Sequence, residues 1–275
     1  MFMKITIIVD NYVDTACLLA EHGFACLVEA NGKKILFDTG QGEVLLKNME
    51  HIGVEKDLDM IVFSHGHYDH TGGLCKNMHT LSGYTKEMFA SEFIFDDHLK
   101  KGDRSEYSYI GIGATEEGIR DMYNLHLTSG LTEIADGIYL SGTIGRVEEF
   151  SADKLLYSCI NDRYCKDMFR DEQYMVIKDG SGVHVITGCT HCGVVNLLAD
   201  VRTKFPDEQI LSLTGGLHMF RSTDEQISHI IEHLKREGIN RIFTGHCTGL
   251  NAAFKMQKSL GETVTIAKVG MQFSL

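Results

Sequence analysis

The chain has 275 residues, 43% of them hydrophobic, so it can bury a sizeable core as one large domain or two small ones. Its formal charge of -12 disfavours a phosphate-backbone partner, and no nucleic acid is expected. No run of about 18 apolar residues occurs, so no membrane association is expected; the short apolar start reaches Asp10 at once, unlike a signal peptide, which points to the cytoplasm.

Strand-like and helix-like runs alternate along the chain, the pattern of an α/β protein. Residues 4–10 read as a first strand. Residues 24–29 and 34–38 read as two strands joined by Asn31-Gly32, a strong hairpin signal. A helix suits residues 43–52, and a short buried strand over 60–63 runs into a histidine cluster. The mixed, glycine-punctuated segment 96–131 reads as an excursion covering the site. Further strands are expected over 137–141, 172–178, 183–187, 210–213 and 241–244. The clearest helix covers 223–237. Ser222 and Glu225 suit a capping box there, Ile227, Ile230, Ile231 and Leu234 form one apolar face, and Gly238 ends it. Pro206 is the single proline and nothing marks a linker, so one domain over 1–275 is expected.

Four apolar strands each run into a small-residue turn with a histidine: Phe63-Ser64-His65, Thr187-Gly188-Cys189-Thr190-His191, Thr214-Gly215-Gly216-Leu217-His218 and Thr244-Gly245-His246. Ligands of α/β folds gather beyond the carboxyl ends of strands. Four such ends on one edge would make one imidazole-lined pocket.

His65, His67, Asp69 and His70 crowd four ligand-competent side chains into one short run. Strand alternation turns His65 and His67 the same way, onto one ion, while Asp69 and His70 follow a turn and can face a second. Thr71-Gly72-Gly73 permits a tight bend into a helix. His229 and His233 fall opposite the apolar stripe of their helix and read as solvent-facing. His22, His51, His79, His98, His126 and His184 have no motif context and read as ordinary surface or core residues. Among eight cysteines, Cys189 and Cys192 form one C-x-x-C, too little for a four-thiolate zinc site; Cys189 remains a candidate additional metal ligand.

The run Ser64-His65-Gly66-His67-Tyr68-Asp69-His70-Thr71-Gly72-Gly73 resembles the H-x-H-x-D-H signature of the metallo-beta-lactamase fold superfamily. Leu36-Phe37-Asp38-Thr39-Gly40 is similar to its upstream strand-and-Asp motif. Thr187-Gly188-Cys189-Thr190-His191-Cys192-Gly193, then Asn196, Gly215-Gly216-Leu217-His218 and Thr244-Gly245-His246-Cys247-Thr248-Gly249 resemble its dihydropterin synthase-like branch. The resemblance spans residues 38–249. It implies an αβ/βα sandwich, two facing mixed sheets with helices outside. It also implies two divalent metal ions at one edge, zinc first, with manganese or iron as alternatives, and Asp38 as a support behind the metal loop. Two departures stand out. Where many members carry a further histidine, Ser141-Gly142-Thr143 has none; where many bridge the metals with an aspartate, Gly188-Cys189-Thr190 stands. His191 is the candidate to complete the first site and His246 the second. His218 is either a ligand or an acid facing the substrate.

Two metals roughly 3.5–4 Å apart can share a bridging water and lower its pKa. A hydrolase attacking an ester, phosphoester or lactone is therefore the first expectation, with Asp69 orienting the water and His218 protonating the leaving group. The branch resemblance implies an alternative, a transferase joining a dihydropterin methyl unit to ribofuranosylaminobenzene 5'-phosphate, with Arg120, Arg146 or Arg163 as candidates to hold the phosphate. A non-enzymatic metal-binding protein is the third alternative, disfavoured by an open pocket built from four strand ends. The expected partner is a small molecule, phosphorylated or pterin-like.

Overall fold

A computed structural model describes residues 3–103, 106–149, 154–160 and 162–275. Met1 and Phe2, and Arg104 and Ser105 of the 96–131 segment, lie outside the described residues. The Asn31-Gly32 turn has φ of 51° and 73°, the two positive values a tight two-residue hairpin needs, and it pairs Ala30 with Lys33.

Two seven-stranded mixed sheets form the frame. The first runs, in spatial order, Gln272–Ser274, Lys4–Val9, Ala25–Ala30, Lys33–Phe37, Met60–Val62, Glu87–Ser91, Asn124–Thr128. The second runs Val264–Ile266, Arg241–Thr244, Ile210–Thr214, Val183–Ile186, Met175–Lys178, Ile138–Leu140, Thr132–Ala135. Strand alternation gives each sheet two apolar faces. Ile5, Ile7, Val28, Ile35 and Phe37 of one sheet pack against Ile138, Leu140, Met175, Ile177 and Ile186 of the other. The outer face of the first sheet is covered by the helices Leu45–Ile52, Tyr68–Leu81 and Glu116–Arg120. That of the second is covered by Val194–Lys204, Asp224–Glu237 and Leu250–Leu260. This is an αβ/βα sandwich. No helix among the described residues is long and apolar enough to cross a membrane.

Three local expectations change. The capping box of the Asp224–Glu237 helix is one residue later than read: Thr223 caps, and Gln226 reciprocates. Its apolar face of Ile227, Ile230, Ile231 and Leu234 is buried. The helix after the histidine cluster begins at Tyr68, so Gly72 and Gly73 lie inside it rather than before it. They serve close packing instead: a Cβ at Gly73 would sit 2.0 Å from the Thr39 carbonyl oxygen. Finally, segment 96–131 does reach the cavity over the histidine loop, through Lys100 and Ile110, but it does so with regular structure of its own. Leu99–Lys101 and Tyr107–Tyr109 join Leu156–Ile160 and Arg163–Lys166 in a small third sheet, and Asn124–Thr128 joins the first.

Candidate metal centre

Met60–Val62 runs parallel to its neighbours in the first sheet, and Val183–Ile186, Ile210–Thr214 and Arg241–Thr244 run parallel in the second. Their carboxyl ends deliver His65, His191, His218 and His246. Sharp reversals there are made by Thr190, His218 and His246, whose φ values of 61°, 45° and 43° lie in the left-handed region.

On the amino-terminal side, the arrangement starts from Asp38, buried at the end of its strand. Its carboxylate accepts from the Ser64 N–H at 2.8 Å, the Ser64 hydroxyl at 2.7 Å and His70 Nδ1 at 2.7 Å. Ser64 thereby spends its one proton, and toward His65 Nδ1, 2.9 Å away, its oxygen can only accept. Both His65 and His70 carry their hydrogen on Nδ1 and turn Nε2 into the pocket. Gly188 allows the second half to close on this pair, since a Cβ there would meet the Ser64 hydroxyl at 2.1 Å.

The carboxyl-terminal side is held by its backbone. The buried Glu172 carboxylate accepts the His191 and Cys192 N–H groups at 2.5 and 2.7 Å. Asp10 accepts the His246 N–H at 3.1 Å, and Asn11 Oδ1 accepts from His246 Nδ1 at 2.9 Å. His246 Nε2 then lies 3.5 Å from Asp69 Oδ2 and 3.3 Å from Cys189 Sγ. The His191 ring centre is 4.9 Å from that of His65, 4.7 Å from His67 and 4.1 Å from His218. Phe169 stacks on its face at 4.4 Å.

The donor set suits cations. His65 Nε2, His67 Nε2 and both ring nitrogens of His191 and His218 are buried without a hydrogen-bond partner. Leaving one such atom bare costs about 1–3 kcal/mol, so a cluster of them on adjoining rings fits ions as their missing partners. Burial pushes the basicity of His65 and His191 well down, that of His67 to about 3 and that of His246 to about 4, leaving neutral imidazoles, the form that ligates. Burial alone would raise the Asp69 carboxyl, but the surrounding imidazoles, His70 first, hold it well below its usual range. Burial alone would lower His70; the Asp38 and Asp69 carboxylates instead lift it to about 9. That potential attracts a proton in the absence of a cation.

A cavity of about 110 Å³ opens over His67, Asp69, Cys189, His191 and His218, rimmed by His22, Tyr68 and Phe220. Arg120, Arg146 and Arg163 do not line it; Arg120 pairs with Glu116, Arg146 donates to the Met168 carbonyl, and Arg163 is exposed on its strand. Two histidines read as ordinary are at the site. His22 Nε2 lies 3.2 Å from Asp69 Oδ2, and its Nδ1 is 3.2 Å from Asn11 Nδ2. His98 is buried edge-on against His67 at 4.8 Å, between Asp167 at 2.6 Å and Asp171 at 3.1 Å. Asp171 also accepts the Gly66 N–H of the histidine loop at 2.7 Å. Asp10, Asn11, Asp171 and Glu172 lacked any local signal, because they act across long sequence separations. His229 and His233 stay on the outer side of their helix, with His229 exposed beside Glu148.

The sequence model of the metallo-beta-lactamase superfamily matches residues 20–75. An uncharacterised protein of Methanocaldococcus jannaschii is 32% identical over 92% of this chain and 94% of its own length. The 7,8-dihydropterin-6-methyl-4-(beta-D-ribofuranosyl)-aminobenzene-5'-phosphate synthase of the same organism is 31% identical over 91% of this chain and 89% of its own. This chain belongs to the metallo-beta-lactamase superfamily. A solved structure described as a metal-dependent hydrolase of the beta-lactamase superfamily superposes with a TM-score of 0.83 at 28% identity, covering 98% of both chains. The chain is thus an enzyme of this superfamily, and the fold implied by its motifs is the fold it has.

Proposed function

We propose that the chain is a metal-dependent hydrolase that acts on an ester, phosphoester or lactone in the cytoplasm, as a single domain holding two divalent ions. The observation that carries this is the convergence of bare, buried ring nitrogens from both halves on one cavity. His65, His67 and His191 would hold one ion, and Asp69, His70 and His246 the other, with zinc favoured by the imidazole-rich set. When bound, such a pair lowers the pKa of a water and stabilises charge on the attacking and leaving oxygens.

The protein's own groups do the rest. Asp38 and Ser64 fix His65 and His70; Asn11 fixes His246. Asp69, at the first turn of the Tyr68–Leu81 helix, aims its carboxylate into the cavity and orients the attacking water. His218, with both nitrogens free and the cavity before it, donates a proton to the leaving oxygen. Phe169 and Phe220 cover the rings of His191 and His218 and restrict water.

One relative favours a second reading. The 31% identical synthase suggests a transferase that joins a dihydropterin methyl unit to ribofuranosylaminobenzene 5'-phosphate. A product assay on the purified enzyme separates them. Free acid and alcohol from an ester, lactone or phosphoester panel support hydrolysis; a joined pterin–arylamine product replaces it with transfer. His67→Ala should lose both bound metal and turnover, and full activity with unchanged metal content would sink both readings.

A further inference from the structure

We propose that Lys100 decides which substrates the centre accepts. It binds an anionic group, a carboxylate or phosphate, that the substrate carries away from its reacting bond; this rests on the two-ion hydrolase reading above. Lys100 lines the cavity over the histidine loop, whereas the three arginines that the sequence offered for an anion do not. Its strand, Leu99–Lys101, belongs to the third sheet, where Lys100 stands directly opposite Leu156. Residues paired in this way share one face, and Leu156 lines the same cavity. Lys101 falls on the opposite face, with its Nζ 5.8 Å from the centre of the Tyr157 ring.

The backbone fixes where Lys100 stands. Ile110 donates its N–H to the His98 carbonyl at 2.8 Å, and its own carbonyl accepts the Tyr68 N–H of the histidine loop at 2.9 Å. His98 is itself clamped between Asp167 and Asp171. The strand is therefore tied to the metal loop just before Lys100. The Lys100 side chain is exposed, and among the described residues its ammonium has neither an ion pair nor a hydrogen bond. Nothing in the cavity answers that charge. Asp69 is the only carboxylate among the described residues that line it, and it faces His22 at 3.2 Å and His246 at 3.5 Å. Two divalent ions add to the positive charge. In a chain of charge -12, such a cavity focuses an anion onto its mouth. Ile110, Leu156 and Phe220 supply apolar wall between Lys100 and the histidines. The class that fits is an ester with an apolar body and an anion at its far end.

Isothermal titration of the zinc-loaded, full-length protein with straight-chain dicarboxylates from succinate to sebacate tests this, each compared with the monocarboxylate of the same length. Either acid can place one carboxylate at the ions; only the dicarboxylate has a second for Lys100. The second carboxylate should tighten binding about tenfold at one best chain length, the lower end for a charge-assisted bond because Lys100 is exposed. The gain should shrink in high salt. It should survive in Lys100→Arg and in Lys101→Met, and vanish in Lys100→Met. In hydrolysis of the corresponding half methyl esters, Lys100→Met should raise KM more than it lowers kcat. No gain at any length, or a gain that Lys100→Met keeps, overturns the anion site, and turnover of the esters then leaves the hydrolase reading standing. A Lys100-dependent gain without turnover of any ester overturns hydrolysis and leaves the anion site standing. A protein that binds no zinc overturns both.

Discussion

The two halves of the centre are built differently. The amino-terminal half carries its donors on one continuous run, and two of its three rings are locked from behind by a single buried carboxylate, Asp38, acting directly on His70 and through Ser64 on His65. The carboxyl-terminal half sends one histidine from each of three strand ends. Only His246 has its ring held, by Asn11; His191 and His218 are placed by backbone and stacking, with all four ring nitrogens bare. The first half is pre-organised by the fold, whereas the second depends on what it binds.

Asp38→Ala should break this contrast most severely. It strips the partner from Ser64 and His70 in a fully buried place. Removing one member of such a buried pair costs about 3–5 kcal/mol. Urea unfolding should show that loss even without metal, and metal content should fall with it. A variant as stable as wild type would mean the first half is not locked by Asp38.

His191→Ala should behave in the opposite way. Loss of two bare nitrogens offsets the lost stacking on Phe169, worth about 0.5–1.5 kcal/mol, so metal-free stability should change little. The gain in stability on adding metal, about 4 kcal/mol at a thousand-fold excess over Kd, should shrink sharply. Thermal unfolding with and without chelator measures both terms. Asn11→Leu tests the one locked ring of the second half. Freeing His246 Nδ1 should weaken metal binding about 10–100-fold, the usual size of such a supporting contact, as read by competition with a chromophoric chelator.

The same contrast explains what the sequence made legible. The contiguous run from His65 to His70 announced itself by density, and the strands ending at His191, His218 and His246 by apolar runs meeting glycine-rich turns. The hairpin at Asn31-Gly32 and the apolar face of the 224–237 helix were readable because they are set by local chemistry. Asp10, Asn11 and Glu172 were not. Each looks like an ordinary strand or turn residue, and its role comes from accepting a hydrogen bond from a partner brought near only by the completed sandwich. His98 was missed for the same reason: its two carboxylate partners lie 69 and 73 residues away. The third sheet was hidden because its strands are three to five residues long and alternate weakly.

His98 gives the smallest and most local test. Burial alone would depress its basicity, but Asp171 and Asp167 on either side hold it well above the ordinary histidine value. A folded-state pKa raised above the unfolded value, about 6.5, means the stabilisation is complete below that pH and is lost as pH rises through the folded value. The stability gap between wild type and His98→Gln should therefore narrow as pH rises above 6.5, by no more than about 1.4 kcal/mol per pH unit. Chemical unfolding of the metal-free proteins from pH 6 to 9 measures it. His98 packs on His67, and Asp171 holds the Gly66 N–H. The narrowing should thus appear together with a loosening of the amino-terminal half, while His191 and His218 keep their environment. A gap that widened with pH would show that His98 is neutral in the fold, and that the histidine loop is held without its charge.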